Sequence, residues 1–152
     1  MNERMEIVDR TFESLSVGET VSFSVAIDGK MMETFARLSG DYNPLHIDPE
    51  YARRTAFGRR IAHGQLIAAP ISALAGHFLP GRRCLLLEVR SRFLSPVFAD
   101  DRLVYHGKIA HISNATRAVK VQVEVLNQNG VSVLRGSYEA QVIDVDGTGT
   151  AK

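Results

Sequence analysis

Apolar and polar positions alternate through the second half of this chain. Residues 84–94, 102–112, 117–126 and 131–143 carry many β-branched and aromatic side chains at alternate positions, the period of a strand with one buried face. Asn127-Gln128-Asn129-Gly130 provides a hairpin turn between the last two runs, and Pro96 with Ala99-Asp100-Asp101 separates the first two. The first half changes period. Residues 19–27 alternate around Val21, Phe23 and Val25, and Asp28-Gly29 ends the run as a turn. Residues 30–39 then set Met31, Met32, Phe35 and Leu38 at helical spacing, which predicts a helix of about three turns ended by Gly40.

A short helix is predicted over residues 48–54, with Asp48 as N-cap and Pro49 at the first helical position. Residues 63–79 form the longest apolar segment and hold almost no charge, so they predict a helix buried on nearly every side. Pro70 removes a hydrogen bond there and bends it, and Pro80-Gly81 closes it. Residues 1–16 read as an extended lead-in and residues 146–152 as a disordered tail. The order strand, helix, loop, buried helix and four strands predicts one α+β domain over 17–145, a five-stranded antiparallel sheet wrapped around a central apolar helix. A helix on one face leaves another face or an edge needing cover, which a homodimer or a higher even oligomer supplies.

Composition narrows the partners. At 152 residues, 45% of them hydrophobic, the chain suits one domain with a real core. A net charge of +1 gives no electrostatic reason for nucleic acid or a membrane as partner. The single cysteine, Cys84, excludes an internal disulfide framework and, lying in an apolar run, reads as a buried structural thiol. The absence of a membrane-length apolar stretch or signal-peptide core points to the cytoplasm.

The chemistry concentrates in residues 39–49, Ser-Gly-Asp-Tyr-Asn-Pro-Leu-His-Ile-Asp-Pro. Gly40 lets the chain leave the preceding helix, and Pro44 is expected to keep helix from re-forming. Asp41 and His46 are thereby placed on a stiff loop, two groups of different basicity as acid–base chemistry requires. Asp48 is accounted for by capping and Asn43 by tying the loop together through its amide.

Gly40-Asp41-x-Asn43-Pro44-Leu45-His46, followed by Ala62-His63-Gly64 opening an apolar helix, resembles the MaoC-like (R)-specific enoyl-CoA hydratases, also called hydratase 2. By element order the resemblance spans residues 12–145. It implies a hot-dog fold with an overhanging catalytic loop, a homodimer, and a substrate carried as a thioester on coenzyme A or acyl carrier protein. It also implies reversible hydration of trans-2-enoyl thioesters, with Asp41 and His46 catalytic and the Gly64 N–H polarising the carbonyl. Ser72 matches a serine that orients the aspartate in some members. Gln65 stands where methionine is common, and Pro70 is unexpected in that helix. On this reading Asp41 and His46 hold one water for syn addition, and Gly64, at a helix N-terminus, meets the developing negative charge.

Simpler readings compete at each position. Asp41 alone fits a turn and His46 alone a hydrogen-bonded loop histidine; the full motif favours catalysis for both. His63 reads as a helix cap or loop brace. His77, His106 and His111 read as structural or surface residues. Ser72 fits packing inside the helix as well as contact with Asp41. Two histidines and a carboxylate nowhere share metal-ligand spacing, so no metal is expected, and no cofactor beyond the coenzyme A of the substrate. Arg59-Arg60 and Arg82-Arg83 could meet coenzyme A phosphates, but solvated surface charge explains them equally well. The rival functions are a hot-dog acyl-CoA thioesterase and a non-catalytic acyl-CoA-binding module.

Overall fold

The alternating runs become one antiparallel sheet. Its strands are β1 (Thr20–Ala26), β2 (Cys84–Phe93), β3 (Arg102–Ser113), β4 (Ala118–Leu126) and β5 (Ser132–Val142), in the order β1-β3-β4-β5-β2. This computed structural model describes residues 6–145. The alternation predicted for β3 and β4 is their burial pattern: Leu103, Tyr105 and Ile109 point inward with Val119, Val121, Val123 and Val125. Asn127 forms the predicted hairpin turn by accepting from the N–H groups of Asn129 and Val131 through its side chain.

The inward face wraps the apolar segment, which is not the single helix predicted over 63–79. It comprises α4 (Gly64–Ala68), α5 (Ile71–Ala73) and a π-helical turn (Leu74–Phe78). Pro70 stands at the first break, where it has no N–H to continue the α4 ladder. Two buried tyrosines of the sheet bond to carbonyls of this rod. The Tyr105 hydroxyl donates to Ile67 O at 2.8 Å, and the Tyr138 hydroxyl donates to Leu79 O. Burial pushes both phenols well above their usual range, so they remain donors. Leu66, Ile67, Ile71 and Leu74 are buried against the sheet. Gly107 permits the close approach, because a Cβ there would lie 2.7 Å from a Leu74 methyl. Gln65, Ala69 and Ser72 form an exposed stripe along the rod, so the segment is not buried on every side.

The helix predicted over 30–39 is α1 (Gly29–Ser39), and the Asp28 of the predicted turn is its N-cap, accepting from Met31 N–H at 2.7 Å. Met32 and Ala36 are buried, whereas Leu38, expected among the inward residues, is 82% exposed. The lead-in is more than an extended tether. It contains a 3₁₀ turn at Phe12–Ser14 and sends Phe12 and Leu15 into the core. Val8 bonds through its N–H to His77 O and through its carbonyl to Arg82 N–H, both at 2.9 Å. The tail predicted over 146–152 lies outside the described residues. Among the described residues no helix is long and apolar enough to cross a membrane.

Cys84 is half-buried rather than buried, and burial still pushes its thiol up to about 11. About one thiol in a thousand is then ionised at pH 8. Alkylation by iodoacetamide at that pH is expected to run far slower than for a free thiol of ordinary acidity. Labelling at the free-thiol rate in the folded protein would contradict this.

Candidate active site

The loop after α1 is built by short-range bonds. Gly40 takes a left-handed conformation (φ 76°) and donates to Ala36 O at 2.9 Å, closing the helix as predicted. Asp41 follows, its N–H on the Ser39 hydroxyl at 3.2 Å and its carboxylate accepting from Asn43 N–H at 3.1 Å. Asn43 ties the loop through its amide oxygen, which accepts from Leu45 N–H at 3.0 Å. This bond makes Asn43 the N-cap of a helical turn, α2 (Pro44–Ile47). The expectation that Pro44 blocks helix here is therefore corrected. At the first helical position proline needs no N–H, and its fixed φ suits helix, so it starts α2. His46 is held on α2 while Asp41 lies on the loop before it. Asp48 caps α3 (Pro49–Arg53) as read, accepting from Glu50 and Tyr51 N–H.

His46 is oriented by its Nδ1, which donates to Ile61 O at 2.8 Å. A proton on Nδ1 leaves Nε2 with a free lone pair, the state of a base able to accept from water. The ring of His63 lies beside that of His46, with centroids 4.0 Å apart. His63 is 1% exposed and donates from Nε2 to the backbone carbonyl of Asp41 at 3.0 Å. Of the two roles read for His63, it takes loop bracing and makes no side-chain cap to α4. His106 and His111 lie exposed on β3.

Folding brings Asp41, His46 and His63 together, each offering one donor atom within 4.8 Å of the others. Sequence spacing hid this cluster, so the spacing argument against a metal fails in space: two imidazoles and a carboxylate are chemically a metal-ligand set. The same separation, under twice a hydrogen-bond length, lets one water touch both Asp41 and His46.

Gly64 opens α4 beside this cluster. As first helical residue it has no intrahelical acceptor, and among the described residues its N–H meets no other. The Phe93 ring packs on it so closely that a Cβ would lie 3.0 Å from ring carbons. His46, Gly64, Ile67 and Phe93 help to line a mainly apolar groove of about 370 Å³. Ile67 lines this groove, while Leu66 and Ile71 pack in the core. Phe57, Phe93 and Val97, which also line it, went unread because they come from segments distant in sequence with no local motif. Ser72 is exposed, and its hydroxyl makes no hydrogen bond to Asp41, so within one chain neither reading of it holds. A larger hollow of about 710 Å³ lies on the solvent side of the sheet around Lys108, Glu124 and Arg135, away from these groups.

A family model described as MaoC like domain matches residues 13–131. The chain is 33% identical over 124 residues to an (R)-specific enoyl-CoA hydratase of Aeromonas caviae, covering 82% of this chain and 92% of that protein. It is 34% identical over 110 residues to a 3-hydroxybutyryl-CoA dehydratase of Methylorubrum extorquens, covering 72% and 70%. The solved structure of the A. caviae (R)-hydratase involved in PHA biosynthesis aligns with a TM-score of 0.83 at 31% identity, covering 86% of this chain and 99% of that one. An unliganded R-hydratase from Pseudomonas aeruginosa aligns with a TM-score of 0.82 at 31% identity, covering 93% and 94%.

Proposed function

Because the chain belongs to the MaoC-like family, we propose that it is an (R)-specific enoyl-CoA hydratase, a hydro-lyase that also runs the reverse dehydration. The observation that carries this reading is that Asp41 and His46 offer atoms within 4.8 Å of each other while His46 and Gly64, with its unpaired N–H, line one apolar groove. The acyl thioester lies in the groove with its carbonyl oxygen on Gly64 N–H. Enolate charge developing on that oxygen is stabilised there and almost nowhere else, which lowers the barrier selectively. Asp41 and His46 hold one water over C3. As its oxygen bonds to C3, the pair takes one proton from the water and returns one to C2, so the count of protons on the enzyme is unchanged. A single water serving both carbons dictates addition to one face. No metal or cofactor takes part in this scheme, since carboxylate and imidazole address the water directly.

The substrate is carried on coenzyme A, and the enzyme works in the cytoplasm as a homodimer. Supporting the dimer, β2 is a sheet edge with Leu85, Leu86, Leu87, Val89 and Phe93 exposed, as is Leu94 just beyond it. An open apolar edge strand is a pairing surface, and a second copy of β2 satisfies it symmetrically. Light scattering is expected to give twice the 16.8 kDa chain mass. Val89→Lys, at a site that is 42% exposed in the single chain, is expected to yield monomer. A monomeric parent, or a dimer unaffected by a charge at this position, removes the edge as the interface.

Incubation with crotonyl-CoA tests the function. Loss of enoyl absorbance with (R)-3-hydroxybutyryl-CoA as product, insensitive to chelator, is the expected result. Release of free thiol instead means a thioesterase, and binding without turnover means an acyl-CoA-binding module.

A further inference from the structure

Four arginines fall within eight positions, at 53, 54, 59 and 60, immediately before the apolar rod. The structure separates them from the other arginine pair. Arg82 and Arg83 both face Asp9, at 4.0 and 2.9 Å, and Arg83 holds that carboxyl below its usual range. Arg53 pairs with Glu50 at 3.2 Å. Arg59 and Arg60 have no carboxylate partner among the described residues, yet both are held in place. The Arg59 guanidinium sits 4.0 Å from the centroid of the Phe98 ring. Arg60 donates to Ile47 O at 3.4 Å and lies against Gly29.

These side chains do not merely point to bulk solvent. Arg53, Arg59 and Arg60 line a hollow of about 270 Å³ with Pro49, Gly58 and Asp100. Asp100 is the one carboxylate in the lining and pairs with none of them, so the hollow stays net positive. The segment 57–61 contributes to this hollow and to the groove beside His46. Gly58 turns the chain at φ 69°, and Phe57 and Ile61 on either side of the turn line the groove. Arg59 is five residues from Gly64, so their Cα atoms are at most about 18 Å apart. A flexible pantetheine arm can bridge such a span.

We propose that this hollow binds the phosphates at the nucleotide end of coenzyme A, and that Arg59 and Arg60 are its ligands. The proposal rests on the hydratase reading and adds to it the carrier that the enzyme prefers. Guanidinium groups pre-positioned by an aromatic ring and a backbone carbonyl lose little freedom on gripping a phosphate, and their forks match its oxygens. An acidic face of a carrier protein would need a broad basic surface; this is a small pit beside a turn.

The test is the ratio of kcat/KM for crotonyl-CoA to that for crotonyl-pantetheine, which lacks the nucleotide and every phosphate. Arg59→Ala combined with Arg60→Ala is expected to lower this ratio about tenfold, the loss of charge-assisted bonds to phosphate. Arg82→Ala should leave it unchanged. Asp100→Asn should move it the other way, raising it severalfold; Asn tolerates the left-handed conformation (φ 74°) of Asp100. An equal loss on both substrates, no loss, or an Asp100→Asn variant that weakens the CoA substrate overturns the proposal. So does a double variant that loses crotonyl-carrier-protein turnover while keeping crotonyl-CoA turnover. Calorimetric titration with coenzyme A separates the two readings. Should the parent hydrate neither substrate, CoA binding that the double variant lacks upholds the phosphate site and rejects the hydratase. Absent or unaltered CoA binding rejects the site.

Discussion

Asp41→Asn is expected to lower kcat for crotonyl-CoA hydration by about 10²–10⁴-fold, the usual worth of a positioned acid–base group. The substitution is nearly silent structurally. The amide oxygen of Asn can still accept from Asn43 N–H, the 3.1 Å bond that shapes the loop, and the side chain is exposed. What is lost is the negative charge that the proposed scheme places beside the attacking water. His46→Asn is the matching change on the other side, because its amide N–H can take the place of Nδ1 on Ile61 O while removing Nε2. If the two groups act on one water, the double variant should be little worse than either single one, since residues working as a unit are not additive. Steady-state kinetics on the three variants, with circular dichroism to check folding, decides the matter. A folded Asp41→Asn enzyme at parental rate removes Asp41 from the reaction.

The second large effect is expected at Gly64→Pro, which deletes one backbone N–H and little else. Proline is well suited to the first position of a helix, and His63 before it has φ −58° and ψ 134°, the extended region that a residue preceding proline adopts. The loss of an oxyanion donor is expected to reduce kcat by about 10²–10³-fold. A Cβ at 64 also presses on the Phe93 ring, so Gly64→Ala is the control: it brings the same contact and keeps the donor. The expected signature is a far larger loss for Pro than for Ala. Equal losses would mean that the Phe93 contact, and not the N–H, is what matters at this position.

Short-range features were readable wherever a residue and its partner lie within a few positions. Gly40 ends α1, Asp48 caps α3, and Asn43 ties the loop it stands in, all as their local chemistry dictates. Pro44 shows the limit of such reasoning. One property, no N–H and a fixed φ, either ends a helix or begins one, and the Asn43 cap selects beginning. Leu38 fits the helical period but is exposed, because period assigns a face and not what covers it.

His63 was read as a helix cap or a loop brace without a stated target, since its partner, the Asp41 carbonyl, is twenty-two residues away. Arg59-Arg60 and Arg82-Arg83 are alike as strings. Asp9 faces both members of the second pair from seventy-four residues before Arg83, and no nearby composition could reveal that.

By itself the sequence determined the strand and helix periods, the turn and cap residues, and a motif compact enough to name Asp41, His46 and Gly64. These depend on backbone preferences and on contacts within a turn or two. Only the tertiary structure decided that His63 joins Asp41 and His46, that Phe93 covers Gly64, that β2 is an open edge and that, among the described residues, one arginine pair remains without a carboxylate. Each of these depends on which distant segments the sheet brings into contact around the broken rod, and spacing along a chain does not encode distance across it.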